Sequence, residues 1–325
     1  LSIKPLLIGE VEPLPTSSPL KAILMRPVFL IFLLLTTASA QEGITPSKSE
    51  RVTDLADTRI KESSGLARSL RHDGIFWTHN DSGGEPCVFA IDLQGRTRAK
   101  VRLREAVNFD WEDMTSGLDE QGAPCLFVGD IGDNLFIRRS VQVYRILEPN
   151  IAPAGQPAAE TISPQPQVWH VSYPNGSQNA ESLLVHPQTG RIHILTKSNE
   201  GQSALYGFPA VLTQKKGEPL ILEKITDITF TGEERTGKRH VDDRMCTGAA
   251  FAPDGRHLVA ATYSSLYEWT LPEGQTLAEA LAKKPARLIP ELVRQLEAVC
   301  YGADSRTLWI TSEHLPTPLI RITRD

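Results

Sequence analysis

The feature that most constrains this chain is a repeat. Short runs rich in β-branched and aromatic residues, cut by Gly, Pro, Asn and Asp, recur in groups of four. The first group reads ESSGLARS, GIFWTHND, CVFAIDL and RAKVRLR, and the second WEDMTSG, CLFVGDIGD, VQVYRILEP and PQVWHVSYP. The third reads AESLLVHP, RIHILTKS, SALYGFP and LILEKITDITF, and the fourth CTGAAFAPDG, HLVAATYS, LYEWTL and ARLIPEL. The fifth has only three runs, LEAVCYGAD, TLWITSE and LIRITRD. Helical periodicity is confined to Thr276–Lys283, TLAEALAK. Four strands per unit, repeated radially, predict an all-β fold, a five-bladed β-propeller.

The fifth unit lacks a fourth strand, and Arg51–Ile60, RVTDLADTRI, precedes the first unit as a spare. Pairing that spare strand beside Leu319–Thr323 would close the ring and remove two exposed edges. The alternative is six blades, with an extra one in Asn150–Gln178. That stretch, rich in Pro, Ala and Gln, reads better as a long connection.

The N-terminal end reads differently. Met25-Arg26, then VFLIFLLL, then an Ala38-x-Ala40 site has the grammar of a secretory signal peptide over residues 25–40. Residues 1–24 precede a good initiator Met and read as an over-extended start, which leaves residues 41–325 as a single propeller domain. The apolar run falls short of the ~20 residues of a spanning helix, and no later segment qualifies. The protein is therefore expected to be secreted or periplasmic, without stable membrane insertion, and monomeric. A net charge of −5 without a basic stripe argues against a nucleic-acid partner. Four cysteines, Cys87, Cys125, Cys246 and Cys300, show no metal-type spacing. Export would permit disulfides, but each sits in or beside an apolar run where Cys is often a small core residue.

In a propeller the first strand of each blade lines the central channel. Aligning those strands on Leu66, Met114, Leu183, Ala249 and Val299 places Ser64, Glu112, Glu181, Thr247 and Glu297 at one equivalent position, two residues earlier. Three carboxylates converging on a narrow channel must be protonated, paired with Arg or Lys, or bridged by a cation. An all-oxygen ring without His or Cys suits a hard cation, above all Ca²⁺, rather than zinc. The competing reading is a structural ring, its acids capping strand amides or meeting a cation such as Arg244. The second strands end at the same mouth with THNDSGG, GDIGDN, TKSNE, TYSS and TSEH, and the loop Gly232–Arg244 adds Arg235, Lys238, Arg239 and His240. A carboxylate floor beside a cationic rim suits a phosphate-bearing ligand. His79, at the end of a strand in the first unit, could act as acid or base near neutral pH. No GxSxG elbow, P-loop or GxGxxG is present.

Two resemblances follow. ESSGLA, WTHNDSGG, DWEDMT and GDIGDN resemble segments of a group of secreted bacterial propeller proteins. The ring itself is similar to that of the calcium-activated nucleotidases (apyrases), five-bladed propellers that hold Ca²⁺ with a Ser, Glu, Glu, Ser, Glu series. Thr247 departs from that series. The resemblance implies a channel Ca²⁺ on Ser64, Glu112, Glu181, Thr247 and Glu297. It covers five positions rather than the chain.

Three functions follow as expectations. One is a calcium-dependent hydrolase of phosphate esters or anhydrides, with Glu62, Asp110 or Asp130 as base and Arg244 or Lys197 stabilising developing charge. Another is a glycosidase using Asp81, Asp130 and Glu181, with Trp77 or Trp111 stacking on sugar. The third is a binding or scaffold propeller without chemistry. In each case a small-molecule or polysaccharide ligand would sit at the channel mouth.

Overall fold

The computed structural model describes residues 45–232, 234–235, 238–239, 242–291, 295–313 and 315–324. The over-extended start (1–24) and the signal peptide (25–40) lie outside the described residues, as do Glu233 and His240. No helix among the described residues is long and apolar enough to cross a membrane.

Five sheets, each built on four antiparallel strands, make a five-bladed β-propeller. The innermost strands are Ser63–Arg68, Trp111–Leu118, Ala180–Val185, Cys246–Phe251 and Leu296–Tyr301, which number blades 1 to 5. Each packs against its two neighbours, and the cycle closes from blade 5 back to blade 1. In blades 3, 4 and 5 these strands are buried along their whole length, whereas outer strands such as Gln167–Ser172 alternate between buried and exposed. Alternate side chains enter opposite blade interfaces, so five apolar clusters form, one at each interface. Leu66 lies in the cluster between blades 5 and 1, while its neighbour Ala67 lies in the next, between blades 1 and 2. The turns HPQTG and PDG reverse the chain through Gly190 (φ 67°) and Gly255 (φ 69°), in the left-handed region that costs glycine least.

The N-terminal strand closes the ring, but it is Ser47–Asp54 rather than Arg51–Ile60. It pairs antiparallel with Pro318–Arg324, from Ser47 opposite Arg324 to Asp54 opposite Pro318. Its first half, SKSE, gives no apolar signal because an outermost strand is held by backbone bonds. One polar cross-strand contact, Arg321–Glu50 at 2.6 Å, supports it. Leu55 and Ile60, read as part of that strand, are buried at the interface of blades 5 and 1.

Two runs behave differently from their sequence reading. LILEKITDITF divides: Leu220–Ile221 lies parallel to Gln167–Ser172 as a fifth strand of blade 2, and Glu223–Thr229 is the fourth strand of blade 3. The long connection after Asn150 hides no sixth blade. It supplies Ala159–Ile162 as a fifth, parallel strand of blade 1. Both additions cover outer edges. The expected helix forms over Leu277–Leu281, with Thr276 and Glu279 making a reciprocal capping box. All four cysteines are buried and unpaired.

Candidate functional site

Every innermost strand carries a β-bulge at the same place. The register slips between Ser63 and Gly65, Trp111 and Asp113, Ala180 and Ser182, Cys246 and Gly248, and Leu296 and Ala298. The extra residues are Ser64, Glu112, Glu181, Thr247 and Glu297, the five positions the alignment made equivalent. A bulge leaves one residue unpaired and re-aims its side chain. Five-fold repetition of that irregularity makes a ring of five polar side chains, all buried.

A second ring stands beside it. The residue before each bulge pairs with Asn80, Asp130, Thr196, Thr262 or Ser312. The residues that follow these partners are Asp81, Ile131, Lys197, Tyr263 and Glu313. Sequence reasoning quoted these strand ends without aligning them. The Thr-Lys of blade 3 and the Thr-Tyr of blade 4 carried the signal. The two rings hold five carboxylates (Glu112, Glu181, Glu297, Asp81 and Glu313) and one ammonium (Lys197).

That ammonium is already engaged. Lys197 is ion-paired with Glu181, and its Nζ donates to the Tyr263 hydroxyl at 2.8 Å. Burial opposes the charge on Lys197, but Glu181 and Tyr263 more than offset it and hold its pKa above the ordinary value. Burial raises Glu181 to about 7 even with Lys197 beside it. The two hydroxyls of the inner ring donate across blade boundaries. Ser64 Oγ bonds the carbonyl of Glu112 at 2.5 Å, and Thr247 Oγ1 that of Leu296 at 2.8 Å. Their protons are thus committed to the backbone, and each oxygen keeps its acceptor capacity.

Glu112 and Glu297 differ from Glu181. They are 5% and 4% exposed, and among the described residues neither carboxylate has a hydrogen-bond or ion-pair partner. Burial, then Glu181, Asp81 and Asp110, push Glu112 well above the carboxylate range. Burial, then Glu181 and Glu313, raise Glu297 to about 10. An ionised carboxylate in such a place is costly without a proton or a cation.

Around Glu112 the acids come together. Oxygens of Asp81, Asp110 and Glu112 lie within 4.8 Å of one another. Burial lifts Asp81 to about 6 and also raises Asp110. Gly132 forms the wall of this cluster, because a Cβ there would overlap the carboxylates of both Glu112 and Asp110. The backbone amides of Ile131 and Gly132 donate to the carbonyl of Asp110 at 3.1 and 3.2 Å, which fixes the approach. Three carboxylates at this spacing suit a hard divalent cation better than a soft one. Among the described residues this is the acid group close enough to share one ion, and it lies where blades 1 and 2 meet.

The remaining candidates fall elsewhere. Asp130 is completely buried and paired with Arg138 at 2.8 Å, so it is closed to substrate. Glu62 is exposed at the rim, where its strand bridges Glu313. Arg244 ends a short 3-10 turn, and its aliphatic stem packs near Gly201 and Gly232. Its Nε has no hydrogen-bond partner. Glu234–Arg235 and Lys238–Arg239 form a small hairpin. His79 is not a solvent-facing acid or base. It is fully buried, its pKa pushed down to about 4 by burial, with Nδ1 on the Asn80 carbonyl at 2.9 Å. Trp77 and Trp111 are also fully buried, their indole N–H groups bonded to Glu148 and to the Val107 carbonyl at 3.0 Å. Neither ring can stack on a sugar. With Asp130 and Glu181 both ion-paired, Asp81 is the one carboxylate of the glycosidase arrangement without an ion pair, and that arrangement has no aromatic platform in Trp77 or Trp111. The channel's opposite end opens into a mostly apolar cavity of ≈ 290 Å³, lined from all five blades, Leu66, Ser116, Val185, Phe251 and Tyr301 among them.

No family model matches the chain, and no curated protein matches it. Among solved structures it is similar to a gluconolactonase from Xanthomonas campestris, with 12% identity and a TM-score of 0.45 over 89% of this chain and 94% of that one. It is also similar to the β-propeller domain of Cps50 (Swd1) from Myceliophteria thermophila, with 11% identity and a TM-score of 0.42 over 84% and 99%. Likenesses this distant say nothing about activity.

Proposed function

We propose that this propeller binds a divalent cation, Ca²⁺ foremost, at the acidic mouth of its channel, and uses it to hold and hydrolyse a phosphate ester or anhydride. The observation that carries the reading is the pair of buried carboxylates without partners, Glu112 and Glu297. Carboxylates held largely out of bulk water beside other acids call for a proton or an ion. Glu112, Asp81 and Asp110 would be the principal ligands. Glu297 and the hydroxyl oxygens of Ser64 and Thr247 would complete an oxygen shell, and Glu181 would be shared with Lys197. Such an ion would polarise a phosphoryl oxygen and lower the pKa of a bound water. Glu62, exposed at the rim, is the remaining candidate base. Arg244, half-buried, is the remaining candidate for stabilising developing charge. The resemblance of the inner ring to the nucleotidase series supports the choice of Ca²⁺ more than that of a phosphate substrate, for which the acidic floor beside cationic loops is the support. A signal-peptide pattern supports a secreted or periplasmic location, where Ca²⁺ is abundant.

One observation favours a second reading, a binding propeller whose ion is structural. Lys197 and Arg138 are both already paired with carboxylates. The two readings part in one experiment. Thermal unfolding is followed with EGTA and with Ca²⁺ for the wild type and Glu112→Gln, alongside phosphate release from a panel of nucleotides and phosphomonoesters. A calcium-dependent rise in Tm lost in the variant, with calcium-dependent turnover, supports the hydrolase. The same rise without turnover supports the structural ion. No rise removes the cation and with it the hydrolase.

A further inference from the structure

The far end of the channel is built unlike its mouth. Along every innermost strand the polar ring residue comes first and the lining of the opposite cavity follows it. Leu66 follows Ser64, Thr115 follows Glu112, Val185 follows Glu181, Ala250 follows Thr247 and Cys300 follows Glu297. Between the two levels Asp113 is buried, its carboxylate accepting the amides of Met114 at 2.7 Å and Leu183 at 2.9 Å, which ties blade 2 to blade 3. The cavity of ≈ 290 Å³ is thus a site of its own, apart from the acids of the mouth.

Its walls are mostly apolar, and Pro187 and Pro253, in turns that border it, present no N–H to a ligand. Arg68 is the only charged residue of the lining. It is half-buried, and its guanidinium makes one hydrogen bond, Nη1 donating to the Ser69 carbonyl at 3.0 Å. Among the described residues no carboxylate pairs with it, whereas Arg138, Arg145, Arg191 and Arg324 each meet one. The acid of the adjoining turn is already taken. The Glu148 carboxylate accepts from Ser69 Oγ, from the Leu70 amide at 3.0 Å and from Trp77 Nε1 at 3.0 Å. The Ser116 and Tyr301 hydroxyls of the lining are committed too, donating to the Arg68 carbonyl at 2.7 Å and to Glu268 at 2.6 Å. What faces the cavity is therefore an apolar wall and one guanidinium, a planar fork of donors most of which are unused.

We propose that this cavity binds a small monocarboxylate with an apolar body, its carboxylate on the Arg68 fork and its hydrocarbon against Leu66, Val185 and Phe251. Ligand pockets run from about 300 to 1,000 Å³, so a cavity at the small end of that range takes a short fatty acid or an aromatic acid rather than a large lipid. Removing the hydrocarbon from water supplies the affinity, and the guanidinium supplies sign and orientation. A phosphorylated or dicarboxylic ligand would bring charge that the wall leaves unmatched. The site draws nothing from the acidic mouth, so it stands independently of the cation.

The test is calorimetric titration of the full chain in EGTA with octanoate and with hydrocinnamate, each beside its alcohol, octanol or hydrocinnamyl alcohol, which keeps the body without the charge. Wild type is compared with Arg68→Met, which keeps an apolar stem. The expected result is saturable binding of at least one acid, about ten-fold tighter than its alcohol. Arg68→Met should weaken that acid about ten-fold and leave the alcohol unchanged. The tighter acid tells whether the body is aliphatic or aromatic. Absence of saturable binding by both acids overturns the proposal. So does an alcohol that binds as tightly as its acid, a comparison that needs wild type alone and holds whatever the variant does to folding. Equal affinity of the acid for wild type and a folded Arg68→Met also overturns it.

Discussion

Lys197 is ion-paired with Glu181 inside the channel, and it is the only ammonium in the two rings of the mouth. Its position decides which acids remain in need of a counter-charge. Removing one partner of a buried pair leaves the other charge uncompensated, at a cost of about 3–5 kcal/mol. Lys197→Met is therefore expected to lower stability by that order, and adding Glu181→Gln to recover most of the loss. Denaturant unfolding of the two variants measures both. A single variant as stable as wild type would mean that the pair carries no weight in the folded state.

The buried acids make stability depend on pH. A carboxyl whose pKa rises on folding favours the fold while protonated, and the unfolded chain releases its protons first. The contribution is full below the unfolded values of 3.8 for Asp and 4.5 for Glu. It is then lost as pH rises through about 6 at Asp81, about 7 at Glu181 and about 10 at Glu297. In EGTA, Tm should be higher at pH 5 than at pH 8. Saturating Ca²⁺ should narrow the gap, because an ion replaces the missing protons.

Calcium should act by mass action. A ligand at a hundred times its Kd stabilises by about 2.7 kcal/mol, a Tm rise of roughly 4–5 °C for a chain of this size. Glu112→Gln should abolish most of that rise. The same variant in EGTA should be no less stable than wild type above pH 7, because an amide replaces a carboxylate that lacks a partner. Differential scanning calorimetry gives both quantities.

A side chain at Gly132 should displace the neighbouring acids. Its missing Cβ is occupied by the carboxylates of Glu112 and Asp110. Gly132→Ala is expected to cost about 1–3 kcal/mol by overpacking and to weaken calcium binding at least ten-fold by displacing two ligands. Calorimetric titration against Ca²⁺ checks the second effect separately from the first.

The closing strand offers a test of the ring. Deleting Ser47–Asp54 would uncover the edge of Pro318–Arg324 and remove the antiparallel partner of blade 5. The expected outcome is aggregation or a loss of cooperative unfolding, read by light scattering and calorimetry. A soluble, cooperatively folding product would show that blade 5 needs no fourth strand.

The sequence by itself determined the number of blades, the order of their strands and the five equivalent inner positions. Those properties are local: turn chemistry, apolar runs and a repeat length recur in each unit whatever its neighbours do. Even the inner ring was legible, since Ser64, Glu112, Glu181, Thr247 and Glu297 keep a constant offset from an apolar residue. Only the tertiary structure decided what each of these residues meets. The bulges, the pairing of Glu181 with Lys197 from a neighbouring strand, the burial of Trp77, Trp111 and His79, and the closeness of Asp81 to Asp110 all arise where separate strands or blades converge. The outermost strands divided likewise, because backbone bonds at an edge leave little trace in side-chain pattern. Charge and burial belong to the assembled channel, so the choice between a ligand, a counter-ion and a core residue was made by packing across blades.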